Sequence, residues 1–171
     1  MDIPTSLIEK IKDRKCVLFL GSGASASSGG PTGKQLSQFL QANLSVPIEN
    51  YHDDLSIFSE NILKEKLVSR QNIEAAVCER LENLSPSESL KKLTLAKWKE
   101  IYTTNYDNLI ERAYDEQFYY KLISNSDYCE ISPNEIPFYK LHCSIKEIPQ
   151  EKLIITRSDI FQNRDKKIEL M

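Results

Sequence analysis

The chain is poor in glycine and has no closely spaced cysteines. Its only five glycines, Gly21, Gly23, Gly29, Gly30 and Gly33, fall within 13 residues, and the 138 residues after them contain none. Glycine serves where the backbone needs positive φ or close approach, so one loop near the N-terminus carries special geometry and the rest reads as ordinary scaffold. The four cysteines, Cys16, Cys78, Cys129 and Cys143, form no Cys-x-x-Cys pair, and His52 and His142 are the only histidines. A cysteine-built zinc site is therefore not expected, no metal is assigned, and the cysteines read as small apolar residues. No apolar run approaches the roughly 20 residues that span a bilayer. The opening MDIPTSLIEK lacks the basic-then-apolar layout of a secretory signal, so a cytoplasmic protein without membrane association is expected. Excess positive charge is missing too: a net charge of -3 and a pI near 5.5 argue against a nucleic-acid-binding face.

What is present fits one globular domain over residues 1–171, with 40% hydrophobic and 27% charged residues. Leu7, Ile8 and Ile11 mark a short amphipathic helix. Cys16 to Leu20 (CVLFL) is apolar at every position and reads as a buried central parallel strand. Leu36, Phe39 and Leu40 predict a helix from about Gly33 to Ala42. A helical insertion over about 50–98 comes next, in which Ser85-Pro86 and Ser87-x-x-Leu90 mark a helix start. Short β-like pieces then alternate with a helix over Asp107 to Tyr114: Glu100 to Thr103, Phe118 to Ile123, Phe138 to Leu141 and Lys152 to Thr156. The expected class is α/β, a Rossmann-like, mainly parallel sheet flanked by helices, with the helical insertion between the first two strands.

Three segments could carry chemistry. Gly21-Ser22-Gly23-Ala24-Ser25-Ala26 comes directly after the first strand and satisfies G-x-G-x-x-G/A, whose glycines allow a tight turn and close phosphate approach. A plain connecting turn is the alternative. The acidic ribose ligand usual about 20 residues beyond such a loop is not obvious, with Glu49 and Asp53 only distant candidates. Gly33-Lys34 is followed by Gln35 rather than Ser or Thr, which excludes a P-loop. The second segment, Ile101 to Asp107 (IYTTNYD), places Thr104, Asn105 and Asp107 at a strand's carboxyl end, where α/β folds bind ligands. Asp107 could instead only cap the next helix, and Asn105 only brace the turn. In the third, Lys140-Leu141-His142-Cys143-Ser144, His142 ends a strand and could hold a ribose hydroxyl or relay a proton; a core histidine is the ordinary reading.

In this order, and with a helical insertion after the first, GSGAS, TTNYD and KLHCS resemble the sirtuin-like, or silent-information-regulator, superfamily, from about Cys16 to Asp159. The resemblance implies a glycine loop, Gly21, Ser22, Gly23, Ala24 and Ser25, that cradles NAD, with Thr104 and Asp107 beside it. It implies catalytic roles for Asn105, at the nicotinamide ribose, and for His142, which engages that ribose. Deacylases of this superfamily carry a four-cysteine zinc ribbon and a glycine after the histidine, where this chain has Cys143. The resemblance therefore points to the bacterial antiphage branch, which hydrolyses NAD to nicotinamide and ADP-ribose. A deacylase, or a non-catalytic NAD or ADP-ribose sensing module, is the alternative. It also implies further sheet beyond Met171, so that the domain is incomplete at its C-terminus and works as a homo-oligomer or with a further domain or effector subunit.

Overall fold

The structure is a computed structural model that describes residues 3–114, 120–123 and 135–164. Four strands, β1 (Val17–Leu20), β2 (Glu100–Thr103), β3 (Tyr120–Ile123) and β4 (Ile136–Lys140), form one sheet in the order β1-β2-β4-β3, and every neighbouring pair is parallel. Among the described residues seven α-helices accompany it: α1 (Thr5–Lys12), α2 (Gly33–Asn43), α3 (Leu55–Lys64), α4 (Arg70–Leu81), α5 (Glu88–Thr94), α6 (Leu109–Tyr114) and α7 (Arg157–Gln162). The expected α/β class with a helical insertion between β1 and β2 is what the chain adopts.

Local chemistry sets the helix starts. Thr32 accepts from the Gln35 amide while the Gln35 side chain accepts from the Thr32 amide, a reciprocal cap that starts α2 at Gly33. Asp54 caps α3, Ser69 and Asn72 box the start of α4, and Ser87 caps α5, as its spacing to Leu90 predicts. One core lies under the sheet, where Leu90, Trp98, Leu109, Ile110 and Tyr114 of the α5 and α6 region meet Ile101, Ile136 and Phe138. A second is helical, built by α2, α3 and α4 with Cys143, Ile145, Leu153 and Ile155.

Two expectations change. The run Cys16–Leu20 is not a central strand: β1 is an edge strand that pairs only with β2 among the described residues. Leu18 and Leu20 face the sheet core, while Val17 and Phe19 are 49% and 55% exposed. An apolar run shows that a strand is buried on at least one face and says nothing of its neighbours. Lys152 to Thr156 joins no sheet. Its backbone bonds mainly to side chains instead: the Leu153 amide donates to Glu74 Oε1, Arg70 donates to the Leu153 carbonyl, and the Tyr106 hydroxyl donates to the Ile154 carbonyl. The expected strand start at Phe118, and Cys129, lie outside the described residues. Among the described residues no helix is long and apolar enough to cross a membrane.

Candidate functional site

The register of the sheet brings the three motifs together. Leu20 pairs with Thr103, and Thr103 with Lys140, so the three central positions in line are each the last residue of a strand. Parallel strands all end at the same edge, and the chain leaves that edge through Gly21, Thr104 and Leu141. Backbone bonds tie these turns across the edge: the Thr104 amide donates to the Leu20 carbonyl (3.3 Å) and the Leu141 amide to the Thr103 carbonyl (2.8 Å). The crevice beyond the carboxyl ends is where open α/β sheets bind ligands.

A cavity of about 380 Å³ opens there, within the range of small-molecule sites. Ser22, Thr104, Asn105, Asp107 and His142 line it, joined by Lys34, Leu36, Asp53, Tyr106 and Ile160. Of the sequence-predicted residues, Gly21, Gly23, Ala24 and Ser25 do not line it, and Ser25 stands directly behind. The buried Ser25 hydroxyl donates to Asp107 Oδ2 at 2.7 Å and accepts from Asn105 Nδ2 at 2.9 Å. Asn105 Nδ2 also donates to the Gly21 carbonyl at 3.1 Å, and Asp107 Oδ1 accepts from the Leu109 amide. Asp107 thus caps α6 and anchors the glycine loop at once. Both N–H donors of Asn105 are committed to that loop, and its carboxamide oxygen keeps its acceptor capacity.

The loop itself is a short 3-10 helix, Ser22–Ser28, rather than an open turn. Its glycine requirement falls at Gly29, with φ of 78°, and at Gly30, where a β-carbon would lie 2.6 Å from Ser25 Cβ. A β-carbon at Gly23 would meet nothing within 4 Å, so the space beside this exposed glycine is open.

Lys140 joins the second and third turns from below. Its buried ammonium donates to Glu111 Oε1 at 2.9 Å, to Ser144 Oγ at 3.1 Å and to the Asp107 carbonyl. At the cavity mouth, Lys34 pairs with Asp53 at 2.7 Å; hydrogen bonds from Lys34 and the Tyr51 hydroxyl hold the Asp53 carboxyl below its ordinary range. Asp53, a distant candidate in the sequence, therefore reaches the cavity, whereas Glu49 does not. Sequence reasoning misses Lys34 because it belongs to α2, where only its position in the first turn after the loop signals it. Tyr106, inside the second motif, is held neutral by burial, which pushes its hydroxyl far above the usual range. Its ring lies 6.2 Å from that of His142.

Cys143 does not crowd this cavity. Its side chain turns into the helical core, where its thiol donates to Glu147 Oε2 at 3.1 Å, and its backbone has φ of 69°. The left-handed conformation there is one that glycine adopts without cost. Burial and the Glu147 bond push the thiol well above its ordinary range.

Compared with known proteins, residues 99–170 match the model of the SIR2-like domain, a stretch that holds the second and third motifs. A curated relative, NAD(+) hydrolase ThsA of Acinetobacter baumannii, is 28% identical over 115 residues, 65% of this chain and 23% of that protein. Among solved structures, variants of a Sir2 homologue in complex with ADP-ribose align over 83% of this chain and 47% of theirs. Their identities are 19%, 22% and 23%, with TM-scores of 0.44, 0.44 and 0.42. The chain spans about a quarter of the curated relative's length and about half of those structures'. The sirtuin-like resemblance of the motifs is thus met independently by the domain match and by the relative.

Proposed function

We propose that the protein hydrolyses NAD at the bond between nicotinamide and ribose, with Asn105 and His142 as catalytic residues. The observation that carries this reading is that Asn105 and His142, from the turns after two different strands, line one cavity at the strands' carboxyl ends, with Ser22 of the glycine loop beside them. The similarity to a SIR2-like domain and to a protein named as an NAD(+) hydrolase supports it.

In this reaction a water oxygen bonds to the anomeric carbon as the carbon–nitrogen bond breaks. The bonding pair goes to the nicotinamide ring, which leaves neutral, and the water's second proton passes to solvent, giving nicotinamide and ADP-ribose. The leaving group is cationic beforehand and needs no acid, so the transition state resembles the oxocarbenium ion of glycoside hydrolysis. The carboxamide oxygen of Asn105 orients the water, His142 holds the ribose hydroxyls and relays the proton, and the Asp107 carboxylate favours developing positive charge nearby. Within the glycine loop of Gly21, Ser22, Gly23, Ala24 and Ser25 the diphosphate is received at Ser22, which lines the cavity, and beside Gly23, with Thr104 next to it, while Ser25 holds the loop from behind through Asn105 and Asp107. None of these steps requires a metal. We extend the proposal to NAD depletion in antiphage defence in a bacterial cytoplasm, carried out by the assembled protein with its further domains or copies, without nucleic-acid or membrane binding.

The test is release of nicotinamide and ADP-ribose from NAD by the full-length protein, beside Asn105→Ala and His142→Ala variants checked for intact folding. Release that both variants lose is expected. Tight NAD binding with no release by the parent would leave a sensing module as the better account.

A further inference from the structure

Behind the third motif, on the side away from the cavity, three potential metal ligands converge. Cys143 Sγ lies 3.1 Å from Glu147 Oε2 and 3.5 Å from Glu151 Oε2, and all three atoms fall within 4.8 Å of one another. Zinc bonds sulfur at about 2.3 Å and carboxylate oxygen at about 2.0–2.2 Å, so a tetrahedral S–Zn–O edge spans roughly 3.5 Å. The two sulfur–oxygen distances are close to that edge.

Every member of the cluster is anionic when deprotonated, and among the described residues neither Glu147 nor Glu151 forms an ion pair with a lysine or arginine. The thiol is held there by a residue in left-handed backbone conformation, where any β-carbon is disfavoured. The Ser144 amide donates to Glu147 Oε2 at 3.1 Å as half of the capping box that starts the 3-10 turn Ile145–Glu147, and this also fixes that carboxylate's orientation.

We infer that Cys143, Glu147 and Glu151 form a binding site for a thiophilic divalent cation of the zinc class. Thiolate and carboxylate together suit zinc, with a water as fourth ligand. Binding releases the thiol proton to solvent as the sulfur–metal bond forms. A cation here clamps the turn at 141–144 from behind. His142 lines the cavity and Cys143 does not, so the metal steadies the histidine without touching substrate. The site stands on its own distances and does not depend on the NAD hydrolase reading.

The experiment titrates metal-stripped protein with Zn2+ by calorimetry and with Co2+ by absorbance, whose thiolate-to-cobalt charge-transfer band reports a sulfur ligand. A single Zn2+ per chain and that band are expected in the parent, both lost in Cys143→Gly, a change the backbone conformation favours. Glu151→Gln, at the half-exposed rim and so safe for folding, should weaken Zn2+ at least about tenfold, the least that loss of even an outer-shell partner costs. Absence of the band in the parent, its persistence in Cys143→Gly, or unchanged affinity in Glu151→Gln would each overturn the site.

Discussion

Replacing Lys140 with methionine tests how the second and third motifs are held together. The Lys140 and Glu111 side chains are 2% and 5% exposed, and the ammonium spends its three hydrogens on Glu111, Ser144 and the Asp107 carbonyl. Lys140→Met leaves the Glu111 carboxylate buried without a partner, which should cost about 3–5 kcal/mol. Against a total stability of about 5–15 kcal/mol for a folded domain, that is a large fraction. Removing both charges is different. Lys140→Met with Glu111→Leu buries no charge and forfeits mainly the bonds to Ser144 and Asp107, about 1 kcal/mol each. The double variant should therefore be more stable than the lysine variant alone by about 1–3 kcal/mol, a coupling that urea unfolding in a double-mutant cycle measures. NAD cleavage separates packing from positioning: the double variant should fold and still lose activity, because the ammonium bridge between the Asp107 carbonyl and Ser144 is gone and only backbone bonds such as Ile145 to Tyr106 join the two turns. A single variant within about 0.5 kcal/mol of the parent, the range of ordinary surface changes, would refute the reasoning. So would a double variant whose loss is the sum of the two singles.

The glycine loop offers a paired test. Gly30→Ala drives a β-carbon into Ser25, whose hydroxyl anchors Asn105 and Asp107, so it should destabilise by about 1–3 kcal/mol and weaken NAD binding with it, by thermal unfolding with and without NAD. Gly23→Ala meets nothing in the chain, so it should shift stability by no more than about 0.5 kcal/mol yet reduce NAD affinity, and equal loss of stability in both variants would sink the assignment of that space to ligand. Acid should loosen α7. Burial pushes the Asp159 carboxyl up, but hydrogen bonds from Thr156 and Arg70 outweigh it and hold it below its ordinary 3.8. A carboxyl depressed by folding stabilises above its unfolded value, and that contribution disappears as pH falls below about 3.8 through the lower folded value. Arg70→Met should therefore flatten the acid limb of stability, read as unfolding midpoint against pH, and a limb parallel to the parent's would rule out this pair as its source.

How much of the molecule is legible in the sequence depends on how local each signal is. Ser87 as the start of α5, the span of α2 and the bounds of β2 depend on a few adjacent side chains and sit where the spacing predicts. The edge position of β1 depends on which strands come beside it, which five apolar residues cannot encode. Leu153 to Ile155 look like a strand because they are buried, but their partners are Glu74, Arg70 and Tyr106, some 50 to 80 residues away. Lys34 and Asp53 at the cavity, and Cys143 with Glu147 and Glu151, lie closer in sequence, yet their meeting depends on the path of the chain between them. Their spacing of four and four suggests a helix face, whereas only Ile145–Glu147 of that stretch is helical, a single 3-10 turn.

The motif residues raise a different point. In the sequence, capping and function are rival readings of Asp107, and turn-bracing and function of Asn105; in the structure Asp107 caps α6 and Asn105 braces the turn, and both also line the cavity. Asp107 receives the Leu109 amide with one oxygen and Ser25 with the other, and Asn105 braces Gly21 and Ser25 with its nitrogen, bonds that leave its oxygen's acceptor capacity unspent. One group that shapes the turn and faces the cavity ties the geometry of the site to the stability of the loop. Loss of activity in an Asn105 or Asp107 variant therefore mixes a displaced loop with lost chemistry. Gly23, whose β-carbon would touch nothing, is the loop position where a substitution tests the proposed ligand contact without displacing these side chains.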